Sequence, residues 1–385
     1  MARISGRLRN VPFSGIREFF ELVSQSKGVV SLGVGEPDFP TPTPMKAAAV
    51  QAIEEDDTSY TSNYGLLELR ELISKKLLRE NRLKFHPEKE ILVTTGTSEA
   101  LDLAFRAILE PGDEVIVPEP SYVSYKPCVW FTGANPVPVV MREENDFRVV
   151  KEDITARITK KTKAIVVASP NNPTGSVLRK KDLEDIADLA VQHDLTVISD
   201  ELYEHLIYDG EKHHSIGSFS GMSDRTITIN GFSKGFAFTG WRLGYAAGSA
   251  EYIESMMKIH QYTMLCAPTI SQYAALRSAD CDRYLKEMVS EYDSRRRLLV
   301  RGLNELSGVS CIMPKGAFYA FPNIKGTGMT SRGFAEKLLK EAGVAVVPGD
   351  SFGESGEGYV RCSYSVSMDV IQEALGRMGK VMRKN

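Results

Sequence analysis

The chain of 385 residues is long enough for two or three domains and for a large hydrophobic core. Its 47 basic and 50 acidic residues give a formal net charge of −3, so it lacks the basic surplus that is typical of nucleic-acid-binding proteins. Hydrophobic residues make up 42% of the chain and charged residues 25%, a balance typical of a folded globular protein and not of a disordered one.

The sequence carries no pattern typical of export or of membrane insertion. Its first 20 residues include basic side chains but no uninterrupted apolar run, and no stretch of 18 apolar residues occurs. The five cysteines are odd in number and far apart, which disfavours both a disulfide framework and a metal site. We therefore expect a cytoplasmic enzyme with free thiols that binds neither membranes nor nucleic acid.

Short apolar strands alternate with amphipathic helices over most of the chain. A helix over 14–24 and a strand over Val29–Leu32 precede a segment, residues 33–44, that is too rich in proline to be helical. The next predicted elements, in order, are strand Ile91–Thr94, helix Glu99–Leu109, strand Glu114–Val117, strand Ala164–Ala168, helix Asp182–Val191, strand Thr196–Ser199 and strand Thr226–Asn230. This alternation predicts an α/β fold with a mostly parallel sheet covered by helices on both faces.

The last third of the chain departs from this alternation. Its predicted elements are a long helix over Tyr284–Leu306, a strand around Phe318–Phe321, a helix over 331–341, strands at Val344–Val347 and Gly358–Ser363, and a final helix from Asp369. This pattern is typical of a smaller α+β domain. We therefore predict a large domain at 46–275 and a small domain that combines residues 1–45 with 276–385.

Two segments contain residue types found in ligand-binding motifs, but their residues do not have the spacing that those motifs require. The segment GVGEPD (33–38) lacks the third glycine of a dinucleotide fingerprint, and prolines stand where the helix of that motif begins. The histidines, including His213 and His214, lack the spacing of a metal-binding motif. The sequence therefore favours neither a nicotinamide cofactor nor a metal ion.

Four groups of polar residues follow predicted strands and mark a candidate site. They are Thr95–Ser98, Ser169–Gly175, Asp200–Tyr203 and Gly231–Lys234. The carboxyl ends of parallel strands meet at one edge of a sheet, and open α/β sheets bind their ligands there. We therefore expect all four groups to line one crevice.

The chemistry of these groups predicts a site for pyridoxal 5′-phosphate (PLP). Hydroxyls and free N–H groups at the start of a helix suit a phosphate, and an arginine adds a bidentate donor. The residues that supply them are Gly96, Thr97, Ser98, Ser233 and Arg242. Asp200 ends an apolar strand, where a lone carboxylate is costly without a cation. Lys234 lies in a strand-end loop, where the loss of water makes an amine more nucleophilic. Together these groups supply what PLP requires.

Motifs along essentially the whole chain resemble those of the class I/II aminotransferases, which are PLP enzymes of fold type I. The segment GFSKGFAFTGWRLG (231–244) is similar to the PLP-lysine motif of that family throughout its length. SPNNPTG (169–175) and SDELYEHLIYDG (199–210) are similar to two further family segments. The N-terminal third and GAFYAFP (316–322) resemble archaeal-type aspartate and aromatic aminotransferases.

The resemblance implies a role for each matching residue around the cofactor. Lys234 falls where the family attaches PLP covalently, and Arg242 falls where it holds the phosphate. Asp200 matches the acid that contacts the pyridine nitrogen. Asn172 and Tyr203 match the residues that contact the phenolic oxygen.

Further matches concern the ring, the substrate and a second subunit. Tyr122 stands where an aromatic residue stacks on the pyridine ring, and Gly35 stands at the substrate. Arg361 corresponds to the arginine that binds the substrate α-carboxylate, which the small domain brings in on closing. Tyr60 matches a tyrosine that reaches the phosphate of the neighbouring subunit, which implies a homodimer.

The resemblance implies transamination from an L-amino acid to a 2-oxo acid such as 2-oxoglutarate, with ping-pong kinetics. The preferred amino donor stays open. Some aspartate-selective relatives have a lysine at the position of Ser98, so this serine weakens the case for aspartate. Four aromatic residues either favour an aromatic substrate or are ordinary lining: Phe13, Tyr64, Tyr122 and Phe318.

Functions of three other kinds compete with transamination: another reaction on the same scaffold, regulation of transcription, and binding without catalysis. A β-elimination lyase or a ring-forming synthase uses the same scaffold, and the site residues barely distinguish them. A PLP-binding transcription regulator normally carries an added helix-turn-helix domain, for which residues 1–30 are too short. A binding protein without catalysis has no need for both Lys234 and Asp200.

Overall fold

The computed structural model describes residues 28–382 and, before them, residues 5, 8, 11–13, 15, 16 and 23. The helix predicted over 14–24 lies almost entirely outside the described residues. None of the described helices is both long enough and apolar enough to cross a membrane. All five cysteines are free thiols.

The described chain alternates strands and helices and ends in a helix. The strands are β1 (Val30–Ser31), β2 (Ile91–Thr94), β3 (Glu114–Glu119), β4 (Asn135–Val140), β5 (Thr162–Ala168), β6 (Thr196–Asp200), β7 (Thr226–Gly231), β8 (Gly244–Ala247), β9 (Tyr319–Ala320), β10 (Val344–Ala345), β11 (Val347–Pro348) and β12 (Val360–Ser363). The α-helices are α1 (Thr43–Glu54), α2 (Leu67–Lys76), α3 (Gly96–Ile108), α4 (Tyr125–Thr132), α5 (Lys151–Thr155), α6 (Lys180–Gln192), α7 (Ala250–Thr263), α8 (Thr269–Ala275), α9 (Asp282–Asn304), α10 (Ser331–Lys337) and α11 (Met368–Met382).

A seven-stranded sheet forms the centre, in the order β2-β8-β7-β6-β5-β3-β4. The pairs from β7 to β4 are parallel, and β8 runs antiparallel to both of its neighbours. Strand β6 is buried along its whole length, because helices cover both faces of the sheet. The predicted α/β fold with a mostly parallel sheet is therefore confirmed.

Two strands of this sheet had no prediction. Strand β4 contains Pro136 and Pro138, which weaken a strand pattern, but β4 lies at the edge of the sheet, where a missing N–H donor is tolerated. Strand β8, with the sequence GYAA, is short and rich in small residues. A Cβ atom on Gly244 would lie 2.6 Å from the backbone nitrogen of Thr97, so β8 requires a glycine where helix α3 begins.

Several predicted elements have different boundaries in the structure, and two of these differences change the contacts of the chain. The helix expected from Glu99 begins at Gly96, so its first turn contains the residues expected to meet a phosphate. The single strand predicted at Val344–Val347 is wrong, because the chain changes partners there. Strand β10 pairs with β1 in parallel, whereas β11 pairs with β12 in antiparallel orientation.

One apolar cluster joins the two ends of the described chain. It packs Leu32 against residues from α9, α10 and α11, and it also receives Tyr203 and Leu206 from the loop after β6. Parallel pairing of β1 with β10 adds backbone hydrogen bonds between the same two ends. The boundaries of the two domains stay a prediction.

Candidate active site

A cleft of about 1140 Å³ opens at the carboxyl ends of the parallel strands. The predicted site residues that line it are Gly35, Thr97, Ser98, Tyr122, Asn172, Asp200, Tyr203, Ser233, Lys234, Arg242 and Arg361. Each of the four strand-end groups contributes side chains, so the fold brings together residues that are up to 326 positions apart (361 minus 35). Gly96 lies directly against Arg242. Tyr60 does not line this cleft, and its side chain is 81% exposed.

Lys234 follows strand β7 and places its amine inside the cleft. Its Nζ donates a hydrogen bond of 2.6 Å to the carbonyl oxygen of Gly35. The rings of Tyr203 and Phe318 lie 5.9 Å and 5.7 Å from the same atom. Burial, and then the charge of Arg361, lower the pKa of Lys234 to about 8. The neutral, nucleophilic amine is therefore far more abundant near neutral pH than in an ordinary lysine.

Asp200 ends the buried strand β6, and its carboxylate accepts two hydrogen bonds. The hydroxyl of Tyr125 donates to Oδ2 at 2.7 Å, and the backbone N–H of Leu202 donates to Oδ1 at 3.2 Å. Burial raises the pKa of Asp200, because the charged form has lost its water. A cationic ring nitrogen would relieve that cost, so Asp200 fits the pyridine nitrogen of PLP.

The first turn of α3 and Arg242 form a cradle for an anion. A Cβ atom on Gly96 would lie 2.7 Å from Nη2 of Arg242, so only glycine leaves room for the guanidinium beside the helix start. Gly96 has a positive φ of 75°, which also favours glycine. Arg242 itself has a φ of 54°, and its Nη1 donates to the carbonyl oxygen of Thr239 at 3.2 Å. Free backbone N–H groups beside a guanidinium fit the phosphate of PLP.

Arg361 extends from strand β12 into the cleft and is buried. Its guanidinium lies between the rings of Tyr319 and Phe352, at 4.3 Å and 4.9 Å from their centroids. Nη1 donates to Oδ1 of Asn172 at 3.0 Å, and Nη2 donates to the carbonyl oxygen of Gly33 at 2.8 Å. Nε has no hydrogen-bond partner among the described residues. This buried cation therefore suits a carboxylate ligand.

Two tyrosines complete the site without having been predicted. Tyr125 holds Asp200, and the hydroxyl of Tyr319 lies 2.9 Å from that of Tyr203. The sequence signal for Tyr125 was its place three residues after Tyr122, and Tyr319 stood inside the segment GAFYAFP. Neither position in the sequence indicates which group the tyrosine hydroxyl contacts.

The four candidate aromatic residues for substrate selection do not form one group. Tyr122 and Phe13 line the cleft, and Phe13 is 86% exposed. Phe318 is fully buried in the apolar cluster below Lys234. Tyr64 does not line the cleft and lies 5.8 Å from the guanidinium carbon of Arg70.

A second polar cluster lies behind the loops that carry Asp200 and Lys234. Asn81 donates to Glu204 at 2.8 Å and to Glu201 at 3.1 Å, and Asn230 donates to Glu204 at 2.6 Å. Lys76 forms an ion pair with Glu204. Four of these residues line a second cavity of about 1170 Å³: Lys76, Asn81, Glu204 and Asn230.

The histidines of this cluster stand close to acidic groups. His213 lies 2.9 Å from Glu201, and His205 lies 3.1 Å from Glu80. With Glu204 these residues form two groups whose oxygen and nitrogen atoms lie within 4.8 Å of one another, a spacing suited to a metal ion. Side-chain donors already occupy the carboxylates, since Lys76 and Asn81 bind Glu204, so the cluster is a network of hydrogen bonds and ion pairs.

We expect Glu204→Ala to lower the free energy of unfolding at pH 7 by about 2 kcal/mol, because the largely buried Lys76 loses its nearest carboxylate and keeps only Glu80 at 3.6 Å and the Asn81 amide oxygen at 2.7 Å. Burial by itself raises the pKa of Glu204, but the charges of Lys76 and His205 lower it below its usual range. The stabilisation is therefore present in full above the ordinary carboxyl pKa, near 4.3, and fades at lower pH. Urea unfolding followed by circular dichroism at pH 7, 5 and 4 measures both effects.

The matched control is Glu336→Ala, which removes an exposed carboxylate 3.1 Å from Lys340. We expect this change to cost at most about 0.5 kcal/mol. Equal losses in the two variants would contradict a structural role for the buried network.

The family model for class I and II aminotransferases matches residues 27–378. The chain belongs to the class I and II aminotransferase family. It is therefore an enzyme of a PLP-dependent family that acts on amino acids and 2-oxo acids, and the predicted family is confirmed.

Three relatives illustrate the range of named activities around this aminotransferase. The aspartate aminotransferase of Pyrococcus abyssi is 50% identical over 384 residues, which cover 99% of this chain and 98% of the relative. Aromatic-amino-acid aminotransferase 2 of Thermococcus litoralis is 46% identical over 384 residues, with the same coverage. The solved structure of the aromatic aminotransferase from Pyrococcus horikoshii OT3 has a TM-score of 0.90 and 48% identity, and the match covers 95% of this aminotransferase and 98% of that chain.

Proposed function

We propose that this aminotransferase moves the amino group of an aromatic amino acid or of aspartate to 2-oxoglutarate, in two half-reactions with ping-pong kinetics. One observation carries the proposal: the amine of Lys234, which donates to the carbonyl oxygen of Gly35 at 2.6 Å, shares a cleft with the Asp200 carboxylate and the Arg361 guanidinium. Relatives named for aspartate and for aromatic amino acids support the substrate classes.

The cleft supplies a partner for each polar group of PLP. The residues that would hold its phosphate are Gly96, Thr97, Ser98, Ser233 and Arg242. Tyr122 would cover the ring, Asp200 would meet its nitrogen, and Asn172 and Tyr203 would meet its phenolic oxygen. When bound, PLP supplies an aromatic ring that accepts the electron pair released at the substrate Cα.

The reaction then depends on three residues of this chain. Arg361 binds the α-carboxylate with its forked guanidinium and so orients the Cα–H bond. The Lys234 amine removes the proton from Cα and returns it as general base and then acid. Asp200 holds a proton at the ring nitrogen. Its carboxylate attracts that cation by about 4 kcal/mol at about 4 Å and an effective dielectric constant near 20.

A homodimer and domain closure complete the proposal. Tyr60 is exposed on its own subunit, which agrees with a role at the phosphate of a second subunit. Arg361 belongs to the predicted small domain, so closure of that domain would carry the guanidinium onto the substrate. Sedimentation of the PLP-loaded enzyme tests for the dimer.

The decisive experiment follows the absorbance of the PLP-loaded protein as single amino acids are added. Transamination converts the spectrum to that of the amino form of the cofactor, and 2-oxoglutarate then restores it. The amino acids that convert it fastest identify the donor class. Release of pyruvate and ammonia without that conversion would instead support a β-elimination lyase.

The lowered pKa of Lys234 has a consequence that needs no cofactor. We expect acetylation of the apoprotein at Lys234 to increase with pH and to level off above a midpoint near pH 8, because only the unprotonated amine reacts. Lys181 is the control, since its hydrogen bond to Asp185 raises the pKa and its reactivity will still increase beyond pH 10. Peptide mass spectrometry measures both. A midpoint for Lys234 above pH 10 would contradict the lowered pKa.

We expect Arg361→Lys to lower kcat/KM about 30- to 150-fold for every amino donor, chiefly by raising KM. Lysine keeps the positive charge but loses the fork that pairs with both carboxylate oxygens, at a cost of about 2–3 kcal/mol. Steady-state kinetics measure the change. Arg283→Lys, at an exposed arginine of helix α9, is the control. An unchanged KM in Arg361→Lys would contradict the assignment.

A further inference from the structure

One positively charged side chain in the cleft, Lys126, has no role in the proposed reaction. Among the described residues that line the cleft, the lysines and arginines are Lys126, Lys234, Arg242 and Arg361. The proposed function uses the last three for the proton transfer, the phosphate and the α-carboxylate. If 2-oxoglutarate is the acceptor, its second carboxylate also enters the cleft, where an unpaired charge is costly.

Lys126 lies in the first turn of helix α4, next to Tyr125, and forms an ion pair with Glu119 at the end of β3. The two side chains differ in exposure. Glu119 is 2% exposed, whereas the side chain of Lys126 is 26% exposed to the cleft. The buried carboxylate is therefore held in place, and the long lysine side chain is the mobile member of the pair.

The pair belongs to the same wall of the cleft as the α-carboxylate site. The ring of Phe352 lies 4.9 Å from the Arg361 guanidinium. The next residue, Gly353, touches Glu119 so closely that a Cβ atom there would lie 2.5 Å from the Glu119 carboxylate. Two consecutive residues, Phe352 and Gly353, therefore contact the two charged sites, one each, and this places both sites along one wall of the cleft. Such a wall suits a ligand that carries a carboxylate at each end.

We propose that Lys126 binds the distal carboxylate of dicarboxylic substrates and leaves Glu119 to do so, whereas neutral aromatic substrates leave the ion pair intact. This inference rests on the proposed function. It explains how one cleft takes an apolar side chain in one half-reaction and a charged one in the next. Burial and the charge of Glu354 raise the pKa of Glu119, so this carboxyl group can take up a proton when the lysine moves away.

The test compares two inhibitors that carry no amino group, glutarate with two carboxylates and 3-phenylpropanoate with one. We expect Lys126→Met to raise the ratio of the glutarate Kd to the 3-phenylpropanoate Kd at least tenfold, as measured by calorimetry on the PLP-loaded enzyme. Lys126→Arg, which keeps a cation, will restore most of the ratio. KM for 2-oxoglutarate will rise in Lys126→Met, with a smaller change in kcat.

Two further variants separate recognition from stability. Lys126→Met/Glu119→Gln removes the buried charge that the single variant leaves unpaired, and we expect the same tenfold change in the ratio. Lys181→Met removes an exposed lysine that pairs with Asp185 at 2.8 Å, and its ratio will stay within twofold of wild type. A ratio in the Lys126→Met/Glu119→Gln variant within threefold of wild type would overturn the role of Lys126.

The same measurements separate this inference from the proposed function. A wild-type enzyme that turns over amino acids but accepts no 2-oxoglutarate contradicts the proposed function. A wild-type enzyme that uses 2-oxoglutarate, with a KM that does not respond to Lys126→Met, contradicts only the role of Lys126.

Discussion

Replacing Lys234 with alanine will lower kcat for transamination by about 10³-fold or more, since the variant loses the amine that we propose as the group that moves the proton at Cα. The variant will also lose the covalent link to PLP, because the other lysine among the described residues that line the cleft, Lys126, forms an ion pair with Glu119. Steady-state kinetics measure the first effect. Borohydride reduction followed by intact-protein mass spectrometry measures the second.

Lys181→Ala is the matched control for Lys234→Ala, because the side chain of Lys181 on helix α6 is exposed and does not line the cleft. It will keep both the activity and the added cofactor mass after reduction. If Lys234→Ala retains PLP through reduction, another amine carries the cofactor and the assignment is wrong. Circular dichroism of both variants will show whether the fold has survived.

Asp200→Asn will lower kcat by nearly 10³-fold while leaving the fold intact. Asparagine has the same shape and can still accept the hydrogen bond of 2.7 Å from Tyr125, but it carries no charge to hold a proton at the ring nitrogen. An attraction of about 4 kcal/mol corresponds to about three powers of ten in rate. Single-turnover kinetics with saturating amino acid measure the loss without interference from product release.

Tyr125→Phe is the partner experiment for Asp200→Asn. This variant removes one hydrogen bond to the carboxylate but keeps the charge, and we expect about a tenfold loss. Turnover in Asp200→Asn within tenfold of wild type would mean that another group protonates the ring. A larger loss in Tyr125→Phe than in Asp200→Asn would assign the main role to the tyrosine.

Much of the fold was predictable because the central strands are buried on both faces, so each of them is a short apolar run in the sequence. Strand β2 begins and ends where its apolar run predicts, and β5, β6 and β7 extend at most two residues beyond theirs. Strand β4 escaped prediction because its two prolines are tolerated only at an edge of the sheet, and the position of a strand in the sheet is a property of the fold.

The residue types and their order along the chain determined by themselves the fold class, the enzyme family and the set of candidate site residues. A lysine, an aspartate and a glycine-led helix start that each follow a predicted strand indicate one shared site, because parallel strands end at one edge of a sheet. The motif around Lys234 then identifies the family without any knowledge of distances.

Only the tertiary structure decided which groups meet. The sequence contains no sign that Tyr125 donates to Asp200, that Tyr319 meets Tyr203, or that Lys126 pairs with Glu119 in the substrate cleft. These contacts depend on the directions and the burial of the side chains. Small differences in either decide whether two polar groups come within about 3 Å of one another or stay too far apart to interact. The balance of charges in the cleft follows from that placement.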